Sequence, residues 1–392
     1  MGKIGLSLEK HKILFLIATS FFWFSIYSYV PELSTYAEGL GASYKMVGLI
    51  GGAYGLTQML LRIPLGISSD RLRLRKPFII AGILVSILSC MVTFINPSIS
   101  SLFVTRLLAG VSAATWVAFT ILFSSYFNDN EATKAMGIIN SFNAVGQLSA
   151  MIIGGIIASI FGTRYLFLLG GFGGIIALIL AFGIKETKVE NTNGMKFKDI
   201  IEVIKNKNLI FISFLAILSQ IITFATILGF VPIIAKNIGI SSLGLSLLSA
   251  VAIMPGIFMA PFVGTYLVKQ WGKSKTIICG FLISSITCFI VPFVTRIAVL
   301  YVLQFFSGVG RNMVFPLLMG LGIKDVSGKK RATAMGFFQS MYGIGIMLGP
   351  IILGYIGEKY NLTTGFISIG CLGVFSMGLT KWYYKHEAWN KE

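Results

Sequence analysis

Residues 12–33, KILFLIATSFFWFSIYSYVPEL, carry no charge between Lys12 and Glu32. A helix rises about 1.5 Å per residue, so roughly 20 apolar residues reach about 30 Å, the thickness of a bilayer's hydrocarbon core. Similar runs follow at about residues 45–67, 77–95, 100–122, 135–160, 164–185, 208–235, 243–267, 276–294, 297–321, 332–357 and 361–381. The whole chain of 392 residues is 55% hydrophobic and 12% charged, against about 25% charged in a soluble domain. A closed barrel would show segments of about ten residues alternating with period two, which these runs lack. The expected fold class is therefore an all-α membrane protein with twelve transmembrane helices. Their even number puts both termini on one side. Lys3, Lys10 and Lys12 precede the first run as they would in a signal peptide. Its length, the lack of a small-residue cleavage site and the spans that follow argue instead for a retained helix.

A net charge of +18 invites a nucleic-acid reading, because clustered Lys and Arg are that footprint. Their positions answer it. Of the 32 basic residues, 24 fall in segments on the side of the termini, while Lys45, Arg164, Lys236, Arg296 and Lys359 lie opposite and Arg62, Arg106 and Arg311 lie within spans. This is the positive-inside bias. It predicts a multi-pass protein of the cell (plasma or inner) membrane, with both termini and the central loop cytoplasmic and no nucleic acid as partner. Cys90, Cys279, Cys288 and Cys371 fall within spans without C-x-x-C pairing, and His11 and His386 lie outside the bundle. No disulfide framework, metal site or cofactor is expected from them.

The most polar stretch, Lys185 to Asn208, lies near the midpoint and contains six lysines. It divides the chain into an N-terminal six-helix bundle (1–185), a linker (186–207) and a C-terminal six-helix bundle (208–392). Within the linker Phe197, Ile200, Ile201 and Ile204 recur at i, i+3, i+4 and i+7 opposite charged residues, predicting an amphipathic helix on the membrane surface. The halves also match in sequence. At an offset of 199 residues, Ala135-Met136-Gly137 meets Ala334-Met335-Gly336, Ser141 meets Ser340, Gly146 meets Gly345 and Gly155 meets Gly354. Two pseudo-symmetric halves that bind substrate between them near the midplane are the expectation for such parallel repeats.

After the second span, Gly66 to Pro77 read GISSDRLRLRKP. This stretch resembles the loop signature of the major facilitator superfamily, G-x-x-x-D-R-x-G-R-R/K. Gly66, Asp70, Arg71, Arg75 and Lys76 match, whereas Arg73 and Leu74 stand where the family has its inner Gly and Arg. The resemblance implies that Gly66, Asp70, Arg71 and Arg75 latch the two halves together on the cytoplasmic side. A merely topogenic basic loop explains the arginines but not the Gly-to-Asp spacing. In the fourth span Arg106-Leu107-Leu108-Ala109-Gly110 is similar to the family's R-x-x-x-G element, whose arginine is associated with proton coupling. The fifth span carries Gly137, Gly146, Ala150-Met151 and Gly154-Gly155 in the frame of the family's antiporter signature, with its Gly-Pro replaced by Ala-Met. The eleventh repeats the frame with Gly336, Gly345, Gly349-Pro350 and Gly354. Small residues at this spacing let helices pack backbone to backbone, as an interface between rocking halves requires. Resemblance to this signature leans the direction toward efflux; generic close packing also accounts for the glycines. The eighth loop has Val268 in place of the aspartate.

Glu32 is the only one of fourteen acidic residues within a predicted span. It is the candidate proton carrier, with Arg106 as its coupling partner, unless it is a solvated helix-end residue. Arg311 lies near the middle of the tenth span, too deep to reach water easily. With Arg106 it makes the pathway positive, which suits an anionic substrate; an anchor to backbone carbonyls is the other reading, and Arg62 reads as structural. Tyr27, Asn140, Asn143, Gln147, Gln220, Thr223, Asn312, Gln339 and Tyr342 complete the candidate substrate cavity, with Asn140, Asn143 and Gln147 on one helix face.

The expectation is a monomeric secondary active transporter with a small molecule, a proton and the lipid bilayer as partners, working by alternating access in proton-coupled efflux. The rivals are proton-coupled uptake of a small anionic metabolite on the same scaffold, and a membrane-embedded enzyme or receptor. No G-x-x-x-x-G-K-S/T motif is present to bind a nucleotide. A lack of paired intramembrane carboxylates or a His cluster argues against an enzyme.

Overall fold

A computed structural model describes residues 2–127, 131–186, 205–324, 326 and 331–389. The surface helix expected from Phe197 to Ile204 lies outside them. Among the described residues twelve helices are long and apolar enough to cross a membrane. They are α1 (Lys10–Gly39), α2 (Tyr44–Leu72), α3 (Lys76–Ile95), α4 (Ile99–Ser124), α5 (Lys134–Phe161), α6 (Tyr165–Phe182), α7 (Lys207–Asn237), α8 (Ser242–Met259), α9 (Val268–Phe293), α10 (Ile297–Gly322), α11 (Thr333–Lys359) and α12 (Leu362–Lys385).

The ends follow local chemistry. Ser43, Asn206 and Ser241 accept hydrogen bonds from the backbone N–H of Met46, Leu209 and Gly244, capping α2, α7 and α8. Ser98 and Ser101 form a reciprocal capping box at the start of α4. Gly162, at φ 94°, ends α5 in a conformation that glycine tolerates. One boundary differs from expectation. A 3-10 turn, Val30–Glu32, carries α1 past Pro31 into Leu33–Gly39, because proline is tolerated in the first turn of a new helical segment. Glu32 is therefore inside the span, 3% exposed, and the span also takes in Glu38.

The two six-helix bundles repeat one packing scheme. α1 packs on α5 as α7 does on α11, α2 on α4 as α8 on α10, and α3 on α6 as α9 on α12. Contacts between bundles are made chiefly by α2 with α11 and by α5 with α8. On the outside, Leu88, Ile95, Ile179, Phe182, Val302 and Phe375 are all more than half exposed. An apolar surface of this breadth belongs against lipid chains.

Candidate functional site

The face of the bundle opposite the termini is closed. On α2, Gly48, Gly51, Gly52 and Gly55 form a stripe at i, i+3, i+4 and i+7 that receives Met347 and Pro350 of α11. A Cβ at Gly48 would run into the Pro350 carbonyl, and one at Gly52 would lie 2.6 Å from the Met347 carbonyl. The Ser34 hydroxyl of α1 donates to the Gly229 carbonyl of α7. Gly229 belongs to a π turn, Thr226–Phe230, a rare geometry that concentrates at functional sites. Tyr54 and Phe224 stack across the same seam with ring centroids 6.4 Å apart.

A Cβ added at Gly137, Gly264 or Gly320 would meet nothing within 4 Å, and at Gly66 only Val117 at 3.8 Å. Below the closed face a narrow space of about 20 Å³, room for roughly one water, is lined by Tyr27, Tyr54, Arg106, Phe224, Leu228 and Pro350 among others.

Of the three arginines within the spans, Arg106 lines this space. The Arg106 guanidinium lies over the Tyr54 ring at 4.4 Å, is 4% exposed, and leaves its Nε without a partner. Arg311 and Arg106 both lie within electrostatic reach of the Tyr27 hydroxyl, as does Tyr342. Arg62 donates to the Tyr342 hydroxyl at 2.7 Å and to the Ala113 carbonyl at 3.4 Å. Tyr27, Arg106, Arg311 and Tyr342 were legible as candidates; Arg62 and Tyr54 were not. The signal for them was present, since Tyr54, Gln58 and Arg62 recur every four residues and so share one face of α2. Gln58 donates to the Tyr54 hydroxyl at 3.3 Å, and its Oε1 is buried without a partner.

The other candidates are not joined to this cluster by any contact described. Asn140 is exposed and donates to the Met136 carbonyl of its own helix, while Gln147 donates to Asn143 at 2.6 Å. Thr223 donates to Ser219 in its own helix, and Asn312 donates to Gly308 beside Gly256 of α8. Gln220 is buried against Gly345, its Oε1 unpartnered. Gln339 is half-buried.

Glu32 and Arg106 form no ion pair in this structure. Glu32 accepts from the Thr163 hydroxyl at 2.7 Å through Oε2, and its Oε1 is buried without a partner. Thr163 lies in the short turn between α5 and α6, so this carboxylate oxygen faces that turn. Among the described residues it is the only buried carboxylate.

The sequence profile of the Major Facilitator Superfamily matches residues 15–229 and 213–392. The chain belongs to this superfamily. An MFS-type transporter of Methanocaldococcus jannaschii, MJ1560, is 27% identical over 374 residues, 91% of this chain and 93% of the relative. The inner membrane transport protein YajR of Escherichia coli is 27% identical over 360 residues, 85% and 74% of the two chains. Among solved structures, a bacterial homolog of the human lysosomal transporter Spinster, inward-facing and unoccupied, superposes with a TM-score of 0.77 over 95% of this chain and 96% of that one, at 13% identity. The protein is thus an MFS transporter and not an enzyme.

In the antiporter frame, a Cβ at Gly146 or Gly154 would strike the Ser20 or Ser28 carbonyl of α1, and one at Gly345 or Gly349 would strike Ile217 or Ile221 of α7. These glycines pack helices within a half, which corrects the expectation that they form the seam between halves. Gly155, against Ser246 of α8, and Gly354 and Pro350, against Tyr44 and Gly48 of α2, do cross it.

Several contacts of the loop signature lie within the N-terminal half. Asp70 pairs with Arg75, and Glu186, just after α6, accepts from the backbone N–H of Arg75 at 3.1 Å and of Lys76 at 2.6 Å. An anion at a helix N-terminus is favoured by the orphan amides there. Burial, and then the Glu186 charge, push the Tyr126 hydroxyl up; it stays protonated and donates to the Lys185 carbonyl. Arg71 is exposed. Arg73, standing where the superfamily has glycine, adopts φ 54°, the left-handed region.

Proposed function

We propose that this MFS transporter is a proton-coupled exporter of small organic molecules in the cell membrane, its termini cytoplasmic. The observation that carries the reading is the placement of the seam: the close contacts between halves at Gly48, Gly52, Gly55, Gly155 and Gly354, with the Ser34–Gly229 bond, lie toward the far side. Alternating access is the exchange of this arrangement with its mirror, in which the far side opens. A substrate enters from the cytoplasm, and release outside lets a proton reach Glu32, whose buried and half-partnered carboxylate is costly in a membrane while charged. Protonation neutralises it and favours return. The antiporter-like frames of α5 and α11 and the positive-inside distribution of charge support the direction and the topology.

Proteoliposomes separate this from the rival. With a panel of labelled cations, neutral lipophiles and organic anions, antiport accumulates substrate in vesicles with an acid interior. Accumulation only with an acid exterior would replace it by uptake of a small anionic metabolite, the reading favoured by the arginines of the pathway.

A further inference from the structure

The three membrane arginines have no acidic partners among the described residues. The ion pairs among the described residues are Asp70–Arg75 and Glu131–Lys134, both near the face of the termini. Arg62 is anchored, with Tyr342 and Ala113 accepting from it. Arg106 has a ring beneath it, the Tyr29 hydroxyl nearby and a bare Nε. Arg311 makes no ion pair or hydrogen bond to any described residue. A guanidinium held in a span without a counter-charge is among the costliest groups a membrane protein can retain, and a structural anchor would show the carbonyl contacts that Arg62 has.

Resting on the transporter reading above, we propose that Arg106 and Arg311, with the Tyr27 hydroxyl in reach of both, bind the acid group of an organic anion as the transported substrate. The two guanidinia belong to opposite halves, α4 and α10, so one acid group bridging them would report occupancy to both. Planar, multi-donor guanidinia suit a carboxylate in two-pronged geometry. The body of the substrate would lie against aromatic walls. Trp23 stands 5.8 Å from Tyr27 and 5.3 Å from Trp116, ring to ring, and its indole Nε1 is buried without a partner. A small aryl acid matches both features, an acid for the arginines and a flat apolar face for the indoles.

The test is a thermal-shift titration of the purified full chain in detergent, which needs neither a gradient nor a direction and so can fail independently of the exporter reading. The probes are aryl and alkyl acids, each matched with the amine and alcohol of the same skeleton, 1-naphthoate with 1-naphthylmethylamine and 1-naphthalenemethanol among them. Stabilisation is expected from acids alone. Arg106→Gln and Arg311→Gln should each weaken acid binding about tenfold or more, a loss of about 1.4 kcal/mol. Arg106→Lys, which keeps the charge, should retain the preference for acids at lower affinity, and Arg164→Gln, outside the pathway, should change nothing. Stabilisation by amines or alcohols as strong as by acids, no stabilisation by any acid, or unchanged acid affinity in Arg311→Gln and Arg106→Gln would each overturn the proposal.

Discussion

Arg62 of α2 donates to the hydroxyl of Tyr342 of α11 at 2.7 Å, and this bond crosses from one half of the transporter to the other. It sits where the sealed part of the seam ends. A hydrogen bond from a charged donor contributes about 1.5–3 kcal/mol net, so losing it shifts a two-state equilibrium by tenfold or more. Tyr342→Phe should therefore populate the state open on the far side. In a background lacking Cys90, Cys279, Cys288 and Cys371, a cysteine at Leu228 should react faster with an impermeant maleimide in Tyr342→Phe than in its parent. An equal rate would mean that the bond persists in both states.

The α2 glycine stripe gives a steric prediction. Gly48→Ala puts a Cβ against the Pro350 carbonyl, so the far side cannot close as observed, and transport should fall at least tenfold in protein that still elutes as a folded species. Gly137→Ala meets nothing in this conformation and should leave thermal stability unchanged or raise it slightly, since alanine is favoured over glycine in helices by about 1 kcal/mol. Equal transport in Gly48→Ala and wild type would place the far-side gate elsewhere.

In the loop after α2, Arg75 is 2% exposed and Asp70 neutralises it. Removing one partner of a buried pair typically costs about 3–5 kcal/mol, because the other charge is left uncompensated. Asp70→Asn should lower the melting temperature clearly, and Asp70→Asn with Arg75→Leu should recover most of the loss. An unchanged melting temperature in the single variant would show the pair to be superficial.

How far the sequence could be read follows from what each feature depends on. The twelve spans were legible because length and apolarity alone satisfy the bilayer, and the repeat because Gly146 and Gly345 occupy matching places. The outer end of α1 was not, since the apolar run closes at Glu32 and Leu33 whereas the 3-10 turn around Pro31 carries the helix on to Gly39. Glu32 was singled out by its position, yet its hydrogen-bond partner could not be deduced, because Thr163 follows α5 and comes close only through the fold. Glu186 was hidden for the same reason, since a helix N-terminus 110 residues earlier in the chain is its partner. The glycine stripe of α2 was visible at i, i+3, i+4 and i+7 but looked like any close-packed membrane helix.

The central claim is that protons drive this transporter through Glu32. The most direct measurement compares wild type with Glu32→Gln in acid-interior proteoliposomes, using as substrate whichever compound of the panel the wild type accumulates. Wild-type protein should concentrate that compound and lose the gradient when a protonophore is added, while Glu32→Gln should still bind and equilibrate it but never move it uphill. Uphill accumulation by Glu32→Gln at the wild-type rate would contradict the account.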